Sequence, residues 1–254
     1  MLKKFGWAIA ALVVIVAVIL FYSSGRFNLQ QEVAEQQSCP VFPSRTVERT
    51  PFPIAPLYAK KNFNLAQKIK GLSEKQLDEH NTLYEGYVQK RNEIAQKLTE
   101  VDLSNQNKTY SAYRALKIAE TYALNGSLLH ELYFENMSNS GSAVGPQMLQ
   151  LIEKSFGSFE QFKNDLMAAA LCSHGWVLTA YSIDDHLIHN YVLEAHNQTV
   201  PVLALPLLVL DVYEHAYMID FGIKRAAYLD VFFTQIDWNV VEERINRWVN
   251  PLNK

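Results

Sequence analysis

The sequence predicts an α+β fold: an N-terminal long helical hairpin, then a mixed domain with a three-stranded antiparallel sheet and flanking helices. Three observations predict it. Ser73-Glu74-Lys75-Gln76 and Ser158-Phe159-Glu160-Gln161 both read as capping boxes, which open helices. From Trp176 to Leu193 the chain turns β-branched and aromatic on both sides of Asp184-Asp185-His186, the pattern of two strands and a turn. Helical spacing returns from about Tyr213, so helices and strands are segregated along the chain rather than alternating.

In order, residues 5–22 form a charge-free run of eighteen residues behind Lys3 and Lys4. As a helix it spans roughly 27 Å, close to the hydrocarbon thickness of a bilayer. The run exceeds the usual apolar region of a cleaved signal, and it ends in Phe21-Tyr22 rather than in small residues. Residues 1–23 are therefore expected to be a membrane anchor, with a cleaved signal segment as the alternative. The two lysines keep the N-terminus inside and export the rest, to the periplasm or the extracytoplasmic face of a membrane. Residues 24–62 read as a Pro-rich tether, with Pro40, Pro43, Pro51, Pro53 and Pro56 barring a helix.

The first capping box opens a helix to about Glu100, and a second long helix runs from about Ser111 to Met137. The polar turn-like stretch Asp102–Lys108 joins them, so 63–145 is expected to be a helical hairpin domain. Gly141–Pro146 breaks the chain. The α/β domain, 146–254, then has a short helix, a second to about Leu171, strands at Trp176–Ile183, Leu187–Leu193 and Leu203–Val212, and two closing helices ending near Val249.

Composition excludes several classes. Hydrophobic residues at 49% and charged residues at 19% rule out a disordered chain. Net charge −3 gives no basic field for nucleic acid, which is not expected as a partner. Cys39 and Cys172 are too few for a disulfide framework or a thiolate metal site; Cys172 is expected to be a small buried residue. Aromatic residues reach 12%, read chiefly as core and interface area.

Three of the seven histidines stand out by context. His80 lies one turn from Leu77 and Tyr84, His130 sits inside Leu128-Leu129-His130-Glu131-Leu132-Tyr133-Phe134, and His215 follows Asp211 by four residues. A buried imidazole needs partners for both nitrogens, and a metal is one efficient partner. Three imidazoles and a carboxylate suit Fe, Mn or Zn. Spacing alone leaves hydrogen-bonded core histidines as the other reading. Asp184, Asp185, His186 and His189 are read as a polar hairpin tip, and His196 as a core or funnel histidine.

Asp211-Val212-Tyr213-Glu214-His215-Ala216-Tyr217 resembles the Asp-x-Trp-Glu-His-Ala-Tyr signature of the iron/manganese superoxide dismutase family. His130-Glu131-Leu132-Tyr133-Phe134, His80 with Tyr84 and Tyr87, and Ser173-His174-Gly175-Trp176 resemble three further family motifs, in order over about residues 53–250. The resemblance implies one mononuclear Mn or Fe per chain held by His80, His130, Asp211 and His215. The implied reaction converts superoxide to dioxygen and hydrogen peroxide. It implies a homodimer in which Glu214 bonds the partner's ligand histidine, with Arg225 near the interface and funnel. It also implies a gateway Tyr87 and a Gln198 bonding the metal's solvent. Gln198, with Gly126 at the place of the iron-type Gln, leans towards Mn. Tyr84 stands where the family has His, and Tyr87 follows His80 by seven residues instead of eight. One residue of slip turns a helical side chain by about 100°, so Tyr84 is the second candidate for the gateway. A catalytically silent scaffold is the alternative function; substituted ligands would mark it, and all four positions are filled.

Overall fold

The computed structural model describes residues 57–63, 65 and 69–253. The expected anchor, the tether up to residue 56 and Cys39 lie outside the described residues. Among the described residues, no helix is long and apolar enough to cross a membrane.

Helix α1 spans Glu74–Glu100, and Ser73 caps it by accepting a hydrogen bond from the Gln76 amide at 3.1 Å. Leu77, His80, Tyr84 and Val88 recur at helical spacing as its buried stripe. Helix α2 spans Ala112–Glu135, capped in the same way by Ser111 on the Arg114 amide. The two helices pack against each other as the expected hairpin. The end of the predicted tether is fastened to this pair. The Tyr58 backbone exchanges two hydrogen bonds with Asn92, the Tyr58 hydroxyl donates to Glu131 at 2.8 Å, and Phe63 packs on Tyr84 and Phe134.

Helices α3 (Pro146–Phe156) and α4 (Phe159–Cys172) follow, with Pro146 in the first turn of α3 and Ser158 capping α4. Cys172 closes α4, where it is exposed instead of buried as expected, because the stripe facing the core is Phe162, Leu166 and Ala170.

Strands β1 (Trp176–Ser182), β2 (Ile188–Leu193) and β3 (Ala204–Asp211) form an antiparallel sheet in the order β2-β1-β3. Every residue of the central strand β1 is buried, since helices cover both faces: α4 packs on β1 and β2, and α2 packs on β3. Register places Trp176 opposite Leu193 on one side and Asp211 on the other.

After β3 come a 3-10 turn at Glu214–Ala216, α5 (Met218–Phe221), α6 (Arg225–Thr234) and α7 (Trp238–Arg244). The two closing helices expected are three, for two physical reasons. Gly222 takes φ 54°, a conformation that side chains resist, and ends α5. Ile236 forms an isolated bridge with Met137, which pulls the chain out of helix between α6 and α7. Asn136, at the end of α2, mimics a strand partner: it accepts from the Val209 amide at 2.9 Å and donates to the Val209 carbonyl at 3.2 Å. Buried Arg244 of α7 donates to Asn136 and to the carbonyls of Leu132 and Leu207, so α2, β3 and α7 share one junction.

Candidate metal centre

Four elements bring one polar side chain each to a single point. His80 lies on α1, His130 on α2, Asp211 is the last residue of β3, and His215 sits in the 3-10 turn. One ligand atom from each lies within 4.8 Å of all the others. The Nε2 atoms of His80, His215 and His130 stand 3.0, 3.1 and 3.7 Å from the same oxygen, Asp211 Oδ2. The other oxygen, Oδ1, accepts from the Tyr213 amide at 3.0 Å, which fixes the carboxylate plane. Tyr228 donates to the Asp211 carbonyl at 2.7 Å, and the Tyr133 hydroxyl lies 3.0 Å from the Tyr228 hydroxyl.

The proton inventory decides what this cluster is built to hold. His130 Nδ1 lies 2.6 Å from the Gly126 carbonyl, which can only accept, so Nδ1 carries the proton. His130 Nε2 is then a bare lone pair, fully buried and without any hydrogen-bond partner. A lone pair aimed at a carboxylate oxygen repels it unless a cation lies between them. Burial favours the neutral form of both His80 and His130, lowering their pKa values despite Asp211. Burial acts against the charge on Asp211, yet His215 and His80 hold its carboxyl well below the usual range. Neutral His80 and His130 beside an ionised carboxylate, with the His215 ring adjoining, make a donor set that a divalent or trivalent transition metal accepts, so the residues fit the group.

Residues 144–244 match the family described as iron/manganese superoxide dismutases, C-terminal domain. The superoxide dismutase [Fe] of Aquifex aeolicus is 39% identical over 186 residues, covering 71% of this chain and 87% of that protein. The superoxide dismutase [Fe] of Cupriavidus metallidurans is 36% identical, covering 67% and 87%. The superoxide dismutase [Mn] of Haloarcula marismortui is 32% identical, covering 67% and 83%. The chain belongs to the iron/manganese superoxide dismutase family. Its substrate is accordingly superoxide and its cofactor iron or manganese.

Around the four residues, this superoxide dismutase differs from the sequence reading at one place. Gln198 is exposed in the turn after β2, where its amide bonds the Ala195 carbonyl. His196 is the residue turned inward, with no exposure at all. The tight turn closed by the Ala195–Gln198 bridge buries His196 and leaves Gln198 exposed, a geometry that the His-Asn-Gln spacing does not reveal. With Gln198 outside the site, the lean towards manganese lapses, and both metals stand.

The His196 tautomer follows from its neighbours. The Trp176 indole can only donate, and it reaches His196 Nδ1 at 2.9 Å. The proton is therefore on Nε2, which donates to the Tyr87 hydroxyl oxygen at 2.7 Å. Tyr87 also lies against the His130 ring, centroids 5.2 Å apart. Tyr84 points elsewhere: its hydroxyl is buried between Glu131 and the Lys61 amide. Of the two gateway candidates, Tyr87 is the one beside the cluster. Gly126 makes the position possible, since a Cβ there would stand 2.7 Å from the Tyr87 ring. Arg225 is anchored to the Ser173 carbonyl at 2.7 Å and to the Tyr217 hydroxyl at 3.2 Å, while Glu214 is exposed beside His215. Trp176, Tyr133 and Tyr228 had no role assigned from the sequence, and His196 was expected as a core or funnel histidine. The Ser-x-Gly-Trp match was the one signal pointing at Trp176; the tyrosines read as core.

Proposed function

We propose that His80, His130, Asp211 and His215 hold the iron or manganese, and that Tyr87 and His196 manage the protons. The single observation that carries this is the buried, unpartnered Nε2 of His130 facing Asp211 Oδ2. When bound, the metal supplies the alternating one-electron oxidation and reduction that superoxide disproportionation requires.

Everything else is the work of the side chains. The Gly126 carbonyl keeps the His130 lone pair directed inward. The Tyr213 amide and the Tyr228 hydroxyl hold Asp211 from both ends, so its orientation is set before metal arrives. Because His196 donates to the Tyr87 oxygen, the Tyr87 hydroxyl hydrogen is left to point away from His196. That hydrogen serves one of the two protonations which turn reduced superoxide into hydrogen peroxide, and solvent replaces it. The fixed charge of Arg225 favours entry of a small anion in a chain of net charge −3.

Exposed Glu214 and the side chain of His215, 27% accessible, support a homodimer in which a second copy covers this turn. The charge-free run 5–22 behind two lysines supports export and tethering to the outer face of a membrane.

The test is metal content and superoxide consumption of the detergent-solubilised full chain. About one Fe or Mn per chain is expected, and neither metal nor activity in His130→Ala. A folded wild-type chain that takes up neither metal would overturn the reading and leave the silent scaffold. Fractionation tests the tether: activity should stay with alkali-washed membranes and become soluble when 1–23 are deleted.

A further inference from the structure

A capping box sends its Gln side chain back to the N-cap amide. In α1 it goes elsewhere. The Ser73 amide donates instead to Asp220 Oδ2 at 2.6 Å, and the Gln76 carboxamide, with no exposure, reaches across to the segment after Asp211. Gln76 Nε2 donates to the His215 carbonyl at 2.5 Å, and Gln76 Oε1 accepts from the Ile219 amide at 3.1 Å. Three bonds from one helix start thus grip His215–Asp220. Gln76 lies one helical turn before His80, so the same face of α1 that presents one member of the cluster holds the backbone of another.

We propose that Gln76 is a positioning residue that fixes His215 relative to His80, and thereby sets how tightly the site retains its metal. This rests on the ligand set proposed above. His215 needs such a hold more than its companions. It sits in a three-residue turn and is part-exposed, whereas His80 and His130 are carried within long, buried helix faces. The amide is suited to the task because both of its ends are used: one donor and one acceptor, on a carbonyl and an N–H four residues apart. A Glu keeps the acceptor and loses the donor; a Met of similar length loses both.

The experiment uses the full chain, detergent-solubilised and loaded with iron or with manganese, as wild type, Gln76→Glu, Gln76→Met and Phe162→Leu. Phe162 packs on Phe156 and Trp238, away from the cluster, and its variant controls for a general loss of stability. Metal release to a chelator is followed well below the melting temperature, together with the absorption spectrum of the oxidised metal. Release about tenfold faster or more in both Gln76 variants is expected, the scale of losses when a ligand's support is removed. The spectrum should shift in both, while Phe162→Leu matches wild type in both readouts. Release and spectrum unchanged in the Gln76 variants would overturn the positioning role, as would equal changes in Phe162→Leu. If Gln76→Met fails to fold, Gln76→Glu carries the test. Wild type that binds no metal at all defeats the ligand set itself, a distinct result.

Discussion

His130 and Asp211 are held at the ends away from the cluster, by the Gly126 carbonyl and by the Tyr213 amide, so neighbours matter as much as the four residues themselves. Gly126 is the clearest case, because it acts by lacking a side chain. In Gly126→Ala the new Cβ meets the Tyr87 ring, and relieving that overlap costs about 1–3 kcal/mol. Tyr87 should leave His196; kcat should fall several-fold with metal content kept, which metal analysis beside steady-state rates checks. His196 yields a second prediction. Burial lowers its pKa from 6.5 to about 4, so the unfolded chain binds this proton first as pH falls. Stability from His196 is therefore whole above pH 6.5 and is lost between there and about 4. The loss amounts to roughly 3 kcal/mol at about 1.4 kcal/mol per unit. Melting temperatures of the metal-free protein from pH 7 to 4 should fall more steeply in wild type than in His196→Gln. Parallel curves would show that the imidazole is not the group responsible.

Helices and strands were legible where the local signal was strong. Ser73, Ser111 and Ser158 start α1, α2 and α4 within a residue of the expected positions, since a cap is a short-range bond between neighbours. The strands, too, fall within a residue of their expected bounds at all six ends. The C-terminal helices were less legible, because a tertiary bridge from Met137 to Ile236 interrupts them and nothing in the nearby sequence announces it. Asn136 is an equivalent long-range device. Asn136→Ala removes its bonds to the Val209 backbone and its acceptor for Arg244, leaving buried polar groups unpaired. A destabilisation of about 2–4 kcal/mol is expected in denaturant titration of the metal-free chain. The expected helix ends should be unaffected, so far-ultraviolet dichroism of the folded variant should match wild type.

At the scale of the whole molecule, the proposed metal centre is the meeting place of the hairpin and the sheet. His80 and His130 come from α1 and α2, Asp211 and His215 from the end of β3 and the turn beyond it. A ligand that binds the folded state alone stabilises it in proportion to the logarithm of its free concentration over Kd. Metal removal should therefore lower the melting temperature of wild type by several degrees, and re-addition of iron or manganese should restore it. In Asp211→Asn the melting temperature should show no response to either metal, because the anionic oxygen that three Nε2 atoms face is gone.

By itself the sequence determined the order and kind of the elements as far as β3, the identity of the four converging residues and the family. Each of these depends on patterns within a few residues: a cap, a period, a His-x-x-aromatic run. Only the tertiary structure decided which residues surround the four. Whether His196 or Gln198 turns inward depends on one turn after β2, and whether Tyr84 or Tyr87 faces the cluster depends on about 60° around the helix, the offset of residues three apart. That Gln76 abandons its own cap for the His215 carbonyl depends on a segment distant in the chain. Such choices are made by whichever side chain finds a buried partner first satisfied by its geometry. Spacing along a chain does not contain that information.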